Sequence, residues 1–157
     1  MAEVLFYHLS ELPLEATLPD LLERSLERGW RVVVRCGSEA GMAALDAMLW
    51  TYRDDAFLPH GTAAAGHAAR QPVYLTLGEE NSNGANVLML VDGARATPEE
   101  MRAYERTCLI FDGADARAVE TARGDWRAVA AAGLAAKYWA REKGRWTQKA
   151  SSGGAPG

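Results

Sequence analysis

The sequence predicts an α/β protein with an open, mainly parallel, twisted sheet and helices on both faces. Three observations lead there. Short runs rich in β-branched and aromatic residues recur along the chain, as in WRVVVRC (30–36) and TCLIF (107–111). Stretches with leucine or alanine at helical spacing alternate with them. Glycine, proline or a capping residue punctuates most of the transitions. Such an alternation needs crossover connections, which favour parallel strands covered by helices.

The elements follow in order. VLFYHL (4–9) alternates as a strand, and its apolar content suits a central one. TLPDLLERSLER (17–28) sets Leu18, Leu21, Leu22 and Leu26 on one helical face and stops at Gly29. WRVVVRC is a buried strand by its valine run. Ser38 caps the helix EAGMAALDAMLW (39–50), and a long loop rich in alanine, glycine and histidine runs from Thr51 to Gln71. VYLTL (73–77) and NVLMLV (86–91) read as strands joined through GEENSNGA, a turn by its Asn-Gly pair. Thr97 caps a helix with Pro98 at its first position. TCLIF is the next strand, and a long helix is expected from about Asp115 to Arg141. Residues 1–149 read as one α/β domain, with 150–157 (ending SSGGAPG) a flexible tail. No internal repeat is visible, and the order of elements resembles half of a dinucleotide-binding fold, which by itself carries no function.

Length and composition narrow the classes. A chain of 157 residues, 48% hydrophobic and 24% charged, can bury a core of its own. No apolar run approaches the ~20 residues of a membrane-spanning helix. The start MAEVLFYHLSEL lacks the basic and cleavage patterns of a signal peptide. Cys36 and Cys108 end apolar runs rather than forming a CxxC, so two reduced buried thiols and a cytoplasmic location are expected. Charge is uneven. The first 116 residues hold 9 Lys or Arg against 18 Asp or Glu, whereas the rest hold 8 against 3. A basic C-terminal end suits an anionic partner, peptide or nucleic acid, and equally suits a solvated helix face.

Catalytic patterns are weak throughout. HLSELPLEATLP (8–19), after the first strand, contains no glycine with which to cradle phosphate. HGTAAAGHAAR (60–70) has Gly61 and Gly66 but no GK[ST], and His60 and His67 lack the neighbours of a metal site. Asp54 and Asp55 are adjacent and point apart, which does not make an acid–base pair. Asp112, at a strand end, is expected to cap the helix that follows. No cofactor or metal is expected.

The segment AVETARGDWRAV (118–129) carries more. Arg123, Trp126 and Arg127 stand at i, i+3 and i+4 and share a helical face. Two guanidinium forks beside an indole suit a chain that ends in carboxylates and an apolar ring. The same spacing also fits a core indole flanked by two solvated arginines.

Taken together, FYHL (6–9), LDAMLW (45–50), FLPH (57–60), QPVYL (71–75) and AR-x-x-WR (122–127), with Gly133 seven residues after Trp126, resemble the chi subunit family of bacterial DNA polymerase III holoenzyme. The resemblance spans Val4 to about Trp146. It implies a non-catalytic replisome subunit that links the clamp-loader complex to single-stranded-DNA-binding protein by holding that protein's acidic C-terminal tail. Carried over by position, Arg123, Trp126 and Arg127 form the tail site. Trp50 and Phe57 fall on the surface that meets the psi subunit or an equivalent clamp-loader component, and a helicase-like repair protein is a further implied partner. Val119 and Ala130 stand where better-known members carry basic or polar residues, so weaker tail binding is expected. Two other readings stay in competition: a small nucleotide-dependent α/β enzyme, and direct nucleic-acid binding through KGRWTQK (143–149).

Overall fold

The structure, a computed structural model, describes residues 2–51, 60–62, 72–81 and 83–152. It confirms the α/β class with mostly parallel strands. The chain divides into two compact units, Glu15–Arg95 and Met1–Leu14 with Ala96–Gly157.

In the Glu15–Arg95 unit the chain runs α1 (Leu14–Glu27), β2 (Val32–Arg35), α2 (Glu39–Thr51), β3 (His60–Thr62), β4 (Val73–Thr76) and β5 (Val87–Leu90), following the opening strand β1 (Glu3–Leu9) of the other unit. Its strands stand in the order β3-β4-β2-β5 and pair in parallel throughout. Every residue of β2, β4 and β5 is buried, which is why these strands read as continuous apolar runs without alternation. Leu18, Leu21 and Leu22 of α1 and Leu45 and Leu49 of α2 are buried as well.

Three expectations are corrected here. The first helix begins at Leu14 rather than Thr17, which takes Pro19 into its interior. The stretch 51–71 is not all loop, because His60–Thr62 pairs with β4. The Asn-Gly pair does not make a hairpin: β4 and β5 both pair with β2, one on each side. The segment between them crosses over β2, with Gly84 at φ +62° and Asn83 donating its side-chain amide to the carbonyls of Val32 and Pro72. Gly84 N–H donates to the Asn81 carbonyl at 3.3 Å, so the Asn-Gly pair does lie in a turn as expected, but within a crossover rather than a hairpin.

The other unit holds β1, α3 (Pro98–Met101), β6 (Arg106–Asp112), α4 (Ala116–Ala131), β7 (Ala135–Glu142) and β8 (Arg145–Ser152). Its strands stand in the order β6-β1-β7-β8, parallel except for the final β7–β8 hairpin. Thr97 and Glu100 form the reciprocal capping box of α3, with Pro98 at its start as expected. Glu3 and Arg106, paired in register across β1 and β6, close an ion pair at 2.7 Å. Cys36 and Cys108 are both buried and free.

The largest correction lies here. The helix expected to reach Arg141 stops at Ala131. Gly133 adopts φ +79°, its N–H donates to the Ala130 carbonyl, and Leu134 N–H reaches back to the Val129 carbonyl. This paired closure ends a helix with a left-handed glycine. AAKYWARE then becomes a strand because β1 offers it a parallel ladder from Ala135 to Ala140, and tertiary pairing outweighs its helix-favouring alanines. The hairpin partner β8 extends through Ala150 to Ser152, into the segment read as flexible tail. No helix among the described residues is long and apolar enough to cross a membrane.

Candidate functional site

The site is built where β6 turns into α4. Asp112, expected to be the helix cap, instead closes the turn by accepting from Ala114 N–H at 2.9 Å. The cap is Asp115, whose Oδ1 accepts from the backbone N–H groups of Arg117 and Ala118. Gly113 donates its N–H to the Leu9 carbonyl at 2.8 Å. A Cβ at Gly113 would collide with His8 Nε2, so only glycine lets the turn lie this close to β1.

From this start α4 turns Ala122, Asp125 and Val129 inward and leaves Arg123 and Arg127 exposed. Trp126 lies between these two faces and is half-buried. Its inner edge packs T-shaped on Phe6 of β1 at 5.3 Å and on Tyr138 of β7 at 6.1 Å. Phe6 and Tyr138 stack at 6.4 Å with planes 10° apart, as expected for register partners on neighbouring strands. Edge and stacked pairs of this kind contribute ~0.5–1.5 kcal/mol each beyond area burial. The indole is therefore held in one orientation, with its remaining surface open beside Arg123.

The polar rim is made by two residues that the sequence reading did not nominate. His8 Nδ1 and Tyr138 Oη lie 2.7 Å apart. His8 also packs edge-on to Phe111 at 5.3 Å. Burial pushes the Tyr138 phenol above its usual pKa, while the Arg123 guanidinium pulls it the other way. Arg123 therefore lies close enough to Tyr138 to act on it. The structure thus joins Arg123 and Trp126 on one helix with Tyr138 and His8 on two strands. Gly133 is the signal that could have found Tyr138, because a helix that ends there frees the next residues to form a strand.

The second surface is smaller among the described residues. Trp50 is 54% exposed at the end of α2. Its ring lies 4.5 Å from that of His60, which is buried and has Nε2 3.2 Å from both the backbone carbonyl and Oδ1 of Asp46. Phe57, Asp54, Asp55 and His67 lie outside the described residues. Among the described residues no group of three or more His, Cys, Asp or Glu side chains could hold a metal ion.

A depression of about 810 Å³ beside the hairpin is lined by Glu11, Arg141, Glu142, Lys143, Arg145 and Thr147. Its charges are largely satisfied within the molecule. Glu11 sits 3.8 Å from Arg141 and accepts from Gly144 N–H, Arg141 donates to the Gly144 carbonyl, and Glu142 pairs with Lys149. Lys143 and Arg145 complete the lining as two cations outside these pairs.

With this geometry in place, comparison with known proteins is decisive. The profile of the family described as DNA polymerase III chi subunit, HolC, matches residues 1–137. The chain belongs to the DNA polymerase III chi subunit family. A protein of Rickettsia prowazekii named as a probable DNA polymerase III subunit chi is 31% identical over 118 residues, covering 71% of each chain. The DNA polymerase III subunit chi of Pseudomonas aeruginosa is 38% identical over 69 residues, covering 44% of this chain and 47% of its own. As a chi family member the protein is an accessory subunit in DNA replication. The family match stops at Lys137, within β7, so Tyr138 and β8 lie beyond it.

Proposed function

We propose that this chi family member links the clamp-loader complex of DNA polymerase III to single-stranded-DNA-binding protein, holding that protein's acidic, phenylalanine-ended C-terminal tail on the face of α4. The observation that supports the reading is the half-buried indole of Trp126, fixed on Phe6 and Tyr138, with exposed Arg123 and Arg127 on the same helix. A terminal phenylalanine would cover the open flank of the indole, while the two guanidinium groups take carboxylates.

Magnitudes rank these contributions. An exposed Arg–carboxylate pair gives ~0.2–1 kcal/mol, whereas burial of one aromatic ring gives ~1.5–3 kcal/mol. Low micromolar affinity, about −8 kcal/mol, therefore needs the ring and several ionic contacts together. Trp50, with Phe57, is proposed as the surface for the psi subunit or an equivalent clamp-loader component, and a helicase-like repair protein is a further candidate partner.

The test is a calorimetric titration with a peptide of acidic–Pro–Phe form, on the wild-type protein and on Arg123→Ala. Micromolar binding that weakens about tenfold in the variant is expected, in line with a charge-assisted contact. No binding by the wild-type protein at low salt would overturn the reading.

A further inference from the structure

We infer that Tyr138 is an additional tail-binding residue of this site, with His8 as its positioning residue. The inference rests on the tail reading and extends it to two strands that carry no residue of the α4 trio.

Tyr138 is half-buried, its ring against those of Trp126 and Phe111, under the influence of Arg123, and its Oη lies 2.7 Å from His8 Nδ1. A carboxylate held by Arg123 therefore comes to rest beside a phenol. Which way that phenol points depends on His8. When His8 Nδ1 carries no proton, Tyr138 donates to it, and the phenol turns only a lone pair outward, which repels a carboxylate. When Nδ1 carries a proton, His8 donates to Tyr138 Oη and the phenolic proton is free to donate to the ligand. A bound carboxylate thus favours His8 with a protonated Nδ1, reached by a change of tautomer or by uptake of a proton. Proton uptake leaves both ring nitrogens as donors and fixes the outward phenol.

Charged groups from two other elements stand near the pair. Arg123 comes from α4, and Asp112, adjacent to Gly113, comes from the end of β6 with its carboxylate bonded to Ala114 N–H. On β1 and β7 the groups are His8 and Tyr138 themselves. Tail binding and proton uptake by His8 are linked through the Tyr138 phenol. The imidazole is held for this purpose by the Gly113 backbone, where a side chain would displace it.

The experiment is the same peptide titration between pH 8 and pH 6, on wild type, Tyr138→Phe, His8→Gln and Arg123→Ala, with melting temperatures recorded for each. The carboxylates of the peptide stay ionised over this range, whereas imidazole side chains take up a proton. Wild-type affinity is expected to rise about three- to fivefold as the pH falls, the worth of one added charge-assisted hydrogen bond. Tyr138→Phe lacks the donor, so it binds about five- to tenfold more weakly at pH 6 and loses the pH dependence. His8→Gln can still bond to Tyr138 but does not titrate, so it keeps measurable binding and shows a flat profile. Other titrating groups remain in His8→Gln and serve as the internal control. If Tyr138→Phe binds as tightly as wild type while Arg123→Ala loses affinity, the inference is wrong and the tail reading stands. If the wild-type protein does not bind at all, the tail reading fails and this inference fails with it.

Discussion

Trp50 and Trp126 are both surface indoles backed by another ring, yet they sit in opposite electrostatic company. Helix α2, which carries Trp50, has Glu39 and Asp46 and no basic residue. Its indole leans on His60, a buried ring tied to Asp46. Helix α4 carries three arginines, and its indole is seated on Phe6 and Tyr138 with its flank beside Arg123. Under the proposed reading the first surface, whose nearby carboxylate is Asp46, offers an acidic peptide no cation from its own helix. The second suits a partner that pairs carboxylates with a ring. An exposed aromatic residue alone does not specify its ligand; the fixed charges around it do.

The sharpest way to probe this contrast is through the two thiols, one in each compact unit. Burial pushes both Cys36 and Cys108 up to about 12, Asp92 adding to the effect at Cys36 and Arg106 partly offsetting it at Cys108. Against an ordinary thiol value of 9.0 this cuts the thiolate fraction at pH 8 about a thousandfold. Neither thiol should react with an aromatic disulfide reagent in the native protein, and both should react in denaturant. If one reacts first, its unit opens first, and the surface on that unit is the more mobile of the two. Folded thiols stay neutral while unfolded ones ionise, so this stabilisation is complete below pH 9 and is lost as pH rises toward 12. A urea midpoint that falls across that range would bear it out.

Next in size is Trp126→Ala. Loss of a half-buried indole with two ring contacts should cost about 2 kcal/mol of stability, less than the 3–5 kcal/mol of a fully buried aromatic. It should also abolish peptide binding, which a paired urea melt and titration would show. Arg123→Ala should weaken the peptide about tenfold with stability almost unchanged, because its side chain is exposed. The smallest effect is expected for Trp50→Ala, within about 0.5–1 kcal/mol in stability and without change in peptide affinity. Equal loss of peptide binding in Trp50→Ala and Arg123→Ala would erase the distinction between the two surfaces.

Much of the fold is legible in the chain because burial on both sheet faces leaves a plain mark. VVVR, VYLT and VLML are apolar except at the closing Arg35 and Thr76, and become fully buried parallel strands. The α4 trio was also legible, since helical spacing alone puts Arg123, Trp126 and Arg127 on one side. Tyr138 and His8 were hidden by a single error of extent. On one continuous helix, Tyr138 would lie ~18 Å beyond Trp126, whereas the strand that follows Gly133 returns its ring to 6.1 Å. Local composition could not reveal this, because AAKYWARE is a strand only by virtue of the ladder that β1 provides. The crossover at Asn83 was missed for the same reason: its partners, Val32 and Pro72, are distant in sequence.

The most direct test of the central claim is to follow the indole N–H resonances of the isotope-labelled protein as the acidic–Pro–Phe peptide is added. The Trp126 resonance should move with saturation in the micromolar range, while that of Trp50 stays in place. Movement of Trp50 with Trp126 unmoved would contradict the assignment of the tail to α4.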